Sequence, residues 1–205
     1  MAAKGFFGGW IVTGWSALAL AAMMAGIFAA QGFDAEGFGT AIRATARTSI
    51  SLFLISFTAS SLLSLWPNAL TRWLRINRRY IGVSFAVSHA LHAAAIGGLA
   101  IVSSGESLPV VTSPEFIGGA LGYAFIAAMT ITSFHATTRW LGARRWRILH
   151  TSGMYYLWLI FMFSYGGRAS QSIYYVPLAA ILIAALLLRL FALKRPKNLV
   201  VAKQA

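Results

Sequence analysis

Four histidines, His89, His92, His135 and His150, are the side chains of this 205-residue chain best suited to chemistry. His89 and His92 stand three residues apart, a spacing that puts both on one helix face. His150 follows Arg147 at the start of a later apolar stretch. The four acids, Asp34, Glu36, Glu106 and Glu115, all fall outside the apolar stretches, so paired-carboxylate hydrolysis and a carboxylate proton relay are not encoded. There is no cysteine, which removes iron–sulfur clusters, c-type haem attachment and thiolate catalysis. Serine and threonine are frequent but none sits in a nucleophile motif, and no glycine motif precedes a phosphate-binding helix. What remains is ligation by imidazole. A b-type haem held between helices needs imidazoles from two of them and no covalent link. The competing reading is a set of histidines hydrogen-bonded inside a bundle.

The arginines near these histidines have two readings. Arg78, Arg79 and Arg147 can pair with haem propionates or with a flavin phosphate, because guanidinium matches both. Ordinary membrane topology explains basic residues at the same places. Arg43 and Arg47, four residues apart, and Arg168 belong to the other side. Pairing with Asp34 or Glu36, contact with lipid phosphate and propionate binding are all open to them. His135, beside Thr137 and Thr138, reads as an interfacial residue.

The elements that must position these groups are apolar. The chain is 59% hydrophobic and 10% charged, with mean hydropathy +0.72, whereas a soluble domain carries about 25% charged residues. The expectation is an all-α polytopic membrane protein, a single transmembrane domain over residues 1–205, with six helices in one bundle. They are expected at about 9–30, 49–65, 80–102, 116–134, 148–165 and 173–193. The first is longer than a signal-peptide core and lacks a small residue before a cleavage point, so it reads as a retained helix. The net charge of +13 does not imply nucleic acid. Lys4, the Arg72–Arg79 group, the Arg139–Arg147 group and Lys194–Lys203 alternate with the apolar segments, and all four acids fall on the opposite side. That partition predicts six spans with both termini cytoplasmic. Thr71-Arg72-Trp73-Leu74 returns as Thr138-Arg139-Trp140-Leu141, which reads as two interfacial loops converging on the same anchors. Trp66, Trp73, Trp140, Trp146 and Tyr165 suit the aromatic belts. Gly118-x-x-x-Gly122 and Ala22-x-x-x-Gly26 fit close helix contacts.

Arg78-Arg79-Tyr80-Ile81-Gly82-Val83-Ser84-Phe85 followed by His89-Ala90-Leu91-His92 resembles the third helix of the ferric-reductase-like transmembrane family. Leu141-Gly142 followed by Arg145-Trp146-Arg147-Ile148-Leu149-His150 resembles the start of its fifth helix. The resemblance covers about residues 43–165 and is nearest to the haem-binding membrane subunit of the periplasmic methionine sulfoxide reductase system. It implies a six-helix b-type cytochrome, often paired with a flavin such as FMN, that moves electrons across the membrane. His92 matches the family's third-helix ligand and His150 its first fifth-helix ligand. The family's second fifth-helix histidine falls on Phe163, and the additional third-helix histidine of its two-haem relatives falls on Arg78, so a four-histidine, two-haem stack is not encoded.

Depth divides the candidates. At 1.5 Å per residue, His89 lies ~15 Å and His92 ~20 Å beyond Arg79, while His150 lies only ~4–5 Å beyond Arg147. Depth favours His89 as the partner of His150, and the motif favours His92. The functional expectation is a relay in a bacterial inner membrane, carrying at most one bis-histidine haem b. It would draw on quinol or a separate reductase subunit and serve a periplasmic or membrane partner protein, in contact with lipid and not with nucleic acid. The alternative is a non-redox accessory subunit on the same scaffold.

Overall fold

A computed structural model describes residues 8–103 and 114–194. Every regular element among them is helical: α1 Trp10–Gln31, α2 Ala35–Leu65, α3 Ala69–Val102, α4 Pro114–Ile131, α5 His135–Leu141, α6 Ala143–Ala169 and α7 Val176–Lys194, with a 3-10 turn at Ile173–Tyr175 before α7. Four helical stretches, Trp10–Gln31, Ala35–Leu65, Ala69–Val102 and Ile173–Lys194, are long and apolar enough to cross a membrane. A fifth is formed if α4 and α5, bent by 106°, count as one broken span. The described residues are therefore all-helical, and the chain is multi-pass in character. In α6 the apolar stretch is diluted by His150, Tyr155, Tyr156 and Trp158 among others, so composition alone does not mark it as a span.

Two helices begin earlier than their apolar stretches. Asp34 caps α2, its carboxylate accepting from the Glu36 and Gly37 amides at 3.0 and 2.9 Å. Asn68 and Thr71 form a reciprocal capping box at the start of α3. Arg72, Arg75, Arg78 and Arg79, expected in a loop, therefore lie on the first turns of α3. Arginine is a good helix former, and the cap, not the onset of hydrophobicity, sets the boundary. The α2–α3 turn is only Trp66, Pro67 and Asn68.

The α2–α3 hairpin is held by small polar residues that let the backbones approach. Ser88 Oγ lies 2.8 Å from Thr48 Oγ1 and 2.9 Å from Ser49 Oγ. Nearer the bundle centre the contact becomes aromatic: Phe53, Phe57, Phe85 and Phe161 are all buried, with Phe161 5.0 Å from Phe53 and 6.1 Å from Phe85, ring centre to ring centre. These phenyls close the space between α3 and α6 at that depth.

α4 stops where its carbonyls find side chains instead of amides. The Thr132 carbonyl accepts from Thr138 Oγ1 at 2.7 Å and from Trp146 Nε1 at 3.0 Å, and the Ile131 carbonyl accepts from Thr137 Oγ1. The chain then turns through α5 and Gly142, whose φ of +80° suits glycine, into α6. The sharp corner is covered by Trp10, which stacks on Phe134 at 5.0 Å.

Candidate functional site

The N-terminal half of α3, the first turns of α6, the last turns of α4 and α7 and the stretch of α2 around Phe53 and Ser56 surround a cleft of about 290 Å³. Its floor is apolar: Phe53, Val83, Phe85, Ile126, Met129 and Met154 line it. Its rim is basic, with Arg75, Arg78, Arg79, Arg147 and Arg189. His150 stands in the wall between the two. No carboxylate lines the cleft. Asp34 and Glu36 open α2 and Glu115 opens α4, each at the far end of its helix from the cleft, and Glu106 lies outside the described residues.

The arginines are positioned individually. Arg78 Nε donates to the Ser56 carbonyl at 2.9 Å and NH1 to Ser60 Oγ at 3.3 Å. Arg189 NH1 donates to the Phe57 carbonyl at 2.9 Å and Nε to the Tyr155 hydroxyl at 3.2 Å. The Arg189 guanidinium also packs over the Phe57 and Tyr155 rings, 4.5 and 4.9 Å from their centres. Arg79 donates to the Tyr80 hydroxyl at 2.7 Å and faces the Tyr80 and Trp10 rings. Arg147 is exposed at the rim. All of these acceptors are neutral.

His150 stacks on Trp146 at 4.2 Å, and its Nε2 lies 3.0 Å from Thr132 Oγ1. The Thr132 hydroxyl spends its single proton on the Ala128 carbonyl at 2.7 Å. The imidazole is therefore the donor in the His150–Thr132 bond, and Nδ1 carries the lone pair.

The other two candidate ligands lie elsewhere. His89 and His92 share a face, as their spacing predicts, and their rings stack at 5.3 Å. His92 Nδ1 faces the Ile42 carbonyl at 3.2 Å and Thr45 Oγ1 at 3.1 Å. That contact leaves Nε2 as the free nitrogen, as in histidines oriented for a metal. His89 packs against Tyr123, Phe85 and Phe161, and its buried Nδ1 has no hydrogen-bond partner. Its ring is 6.0 Å from that of Phe161, and Phe161 is ~16 Å further along α6 than His150. His92 is one turn deeper again. Neither α3 histidine reaches an iron bound by His150, and Phe163 faces outward, 71% exposed. No group of three or more histidine, cysteine, aspartate or glutamate ligands occurs among the described residues. His135 is exposed at the start of α5.

The structure thus brings His150, Arg78, Arg79 and Arg147 into one cleft and leaves His89 and His92 outside it. Arg75 and Arg189 join the site unforeseen. Arg189 was the more readable of the two: an arginine within the run Leu186-Leu187-Leu188-Arg189-Leu190-Phe191 needs a partner inside the bundle.

No protein-family model, characterised protein or solved structure matches the chain. The likeness to ferric-reductase-like proteins rests on its two arginine-and-histidine motifs.

Two axial imidazoles for a haem b do not fit, because the histidines stand at different depths and phenyl rings fill the space between them. One imidazole is compatible with the residues present: His150 would offer a nitrogen lone pair, the rim guanidiniums would face propionates, and the apolar floor of the cleft, whose volume of about 290 Å³ is smaller than a whole haem b, would cover part of a porphyrin ring.

Proposed function

We propose that this chain is the cofactor-holding membrane subunit of a one-electron relay, with one haem b held by His150 in the basic cleft. The observation that carries the reading is the convergence of an imidazole and five arginines on one apolar-floored cleft that no carboxylate lines. Haem supplies the reversible one-electron couple. His150 would hold the iron through its Nδ1 lone pair while its Nε2–H keeps the bond to Thr132. Arg78, Arg79 and Arg147 hold the propionates at the basic rim, and the cleft floor excludes water from the ring. In the same reading the bundle crosses a bacterial inner membrane six times, α6 included, with both termini cytoplasmic. Electrons arrive from quinol or a separate reductase and leave toward a periplasmic or membrane partner. The alternating distribution of basic and acidic segments supports that orientation.

The test is the pyridine-haemochrome spectrum of the purified protein. One haem b per chain is expected, lost in His150→Ala and kept in His92→Ala. Absence of haem from protein made with ample haem sinks the relay.

The second reading, a non-redox accessory subunit, is favoured by the His150–Thr132 bond. That bond anchors the imidazole Nε2 within the protein, and under this reading Thr132→Ala and His150→Ala lower stability and leave the spectrum featureless.

A further inference from the structure

The cleft continues past its arginines. Ala86, Ile126 and Thr130 line both the cleft and a shallow groove of about 290 Å³ between α3 and α4. Ala90 and Ala127, on the groove's outer stretch, are small and exposed, on a surface that a multi-pass protein turns toward acyl chains. The basic-rimmed cleft thus borders an apolar groove on the outer face of α3 and α4.

Charge determines what such a site accepts. Arg78 and Arg189 are fixed by neutral oxygens alone. Each guanidinium has five N–H donors, so each keeps donors to spare. Like charges held together away from water are unfavourable until an anion joins them, and the protein offers none at the cleft. A free phosphate would satisfy the guanidiniums and leave the groove empty. A molecule with a phosphodiester head and an apolar tail satisfies both, and basic pockets between membrane helices take acidic lipid heads.

We propose that an anionic phospholipid is a resident ligand of this protein, with its phosphodiester on Arg78 and Arg189 and one acyl chain in the α3–α4 groove. The site is the one assigned above to the cofactor, and the inference rests on that reading only in that the lipid would occupy the cofactor-free protein.

The experiment uses native mass spectrometry. Protein from haem-depleted cells is released from nanodiscs containing equal amounts of phosphatidylglycerol and phosphatidylcholine. One phosphatidylglycerol per chain should be retained, preferred about tenfold over phosphatidylcholine. Ala127→Phe, which fills the groove, and Arg189→Gln, which removes one guanidinium, should each abolish the preference. Ala127→Phe disturbs no hydrogen-bonded side chain and decides the matter if Arg189→Gln fails to fold. Equal retention of the two lipids, or a preference that survives Ala127→Phe, overturns the proposal. Haem binding without a lipid preference removes the lipid and leaves the relay standing. A lipid preference in protein that never binds haem does the reverse.

Discussion

Arg78 of α3 and Arg189 of α7 donate to consecutive carbonyls of α2, those of Ser56 and Phe57, each at 2.9 Å. Two guanidiniums from different helices are thereby pinned to one short stretch of a third. α2 becomes the fixed rail of the basic half of the bundle, and the cleft takes its shape from it.

Loss of Arg189 should loosen α7. Arg189→Met removes the bonds to the Phe57 carbonyl and the Tyr155 hydroxyl, a loss of ~2 kcal/mol. Arg189→Lys should recover little of it, because one ammonium does not reproduce the planar fork that serves two acceptors. Melting of the detergent-solubilised protein checks this, and a lysine variant as stable as the native chain would contradict it.

The histidines should separate by location. If His150 alone holds a haem, as proposed, the ferric spectrum should be high-spin. His150→Ala should remove the haem. His89→Ala and His92→Ala should leave its amount unchanged, and each should lower stability through lost packing. A low-spin spectrum that depends on both His92 and His150 would show that the phenyl core parts to admit a porphyrin.

Two glycine substitutions should act in opposite directions. A Cβ on Gly37 would lie 2.1 Å from the Gly32 carbonyl oxygen, so Gly37→Ala must shift the backbone at the start of α2 and should destabilise by ~1–3 kcal/mol. A Cβ on Gly97, inside α3, meets nothing within 4 Å, and Gly97→Ala should stabilise by ~0.4–1 kcal/mol by restricting the unfolded chain. Melting temperatures displaced in opposite directions are the expected result.

Topology is open to reporter fusions. A reporter after Leu141 should read cytoplasmic and one after Gly105 periplasmic. The reverse pattern would turn the basic cleft to the outside and end the proposed orientation.

Most of the helices were legible because membrane-length apolar stretches have few alternatives. Their starts were not. The Asn68–Thr71 box begins α3 well before Tyr80, and Asp34 begins α2 well before Ser49, because capping is local and independent of hydropathy. The shared face of His89 and His92 followed from spacing alone. The separation of that pair from His150 was already present in the depth argument, but the phenyls that fill the gap are brought together from three helices, and no spacing within one helix encodes such a meeting. Arg189 escaped for another reason: the hydrophobicity of its surroundings hid it, although that setting is what gives a buried cation its significance.

Phe85 has a consequence of its own. Its side chain lines the arginine cleft, and its ring centre lies 5.4 Å from that of His89. It stands between the arginine cleft and the stacked pair His89 and His92. Cutting it back to alanine would remove the ring that separates them. Water admitted from the basic side would reach the unpartnered Nδ1 of His89, and the cations would then act on the histidine pair through a wet, polarisable medium instead of across a dry hydrocarbon wall.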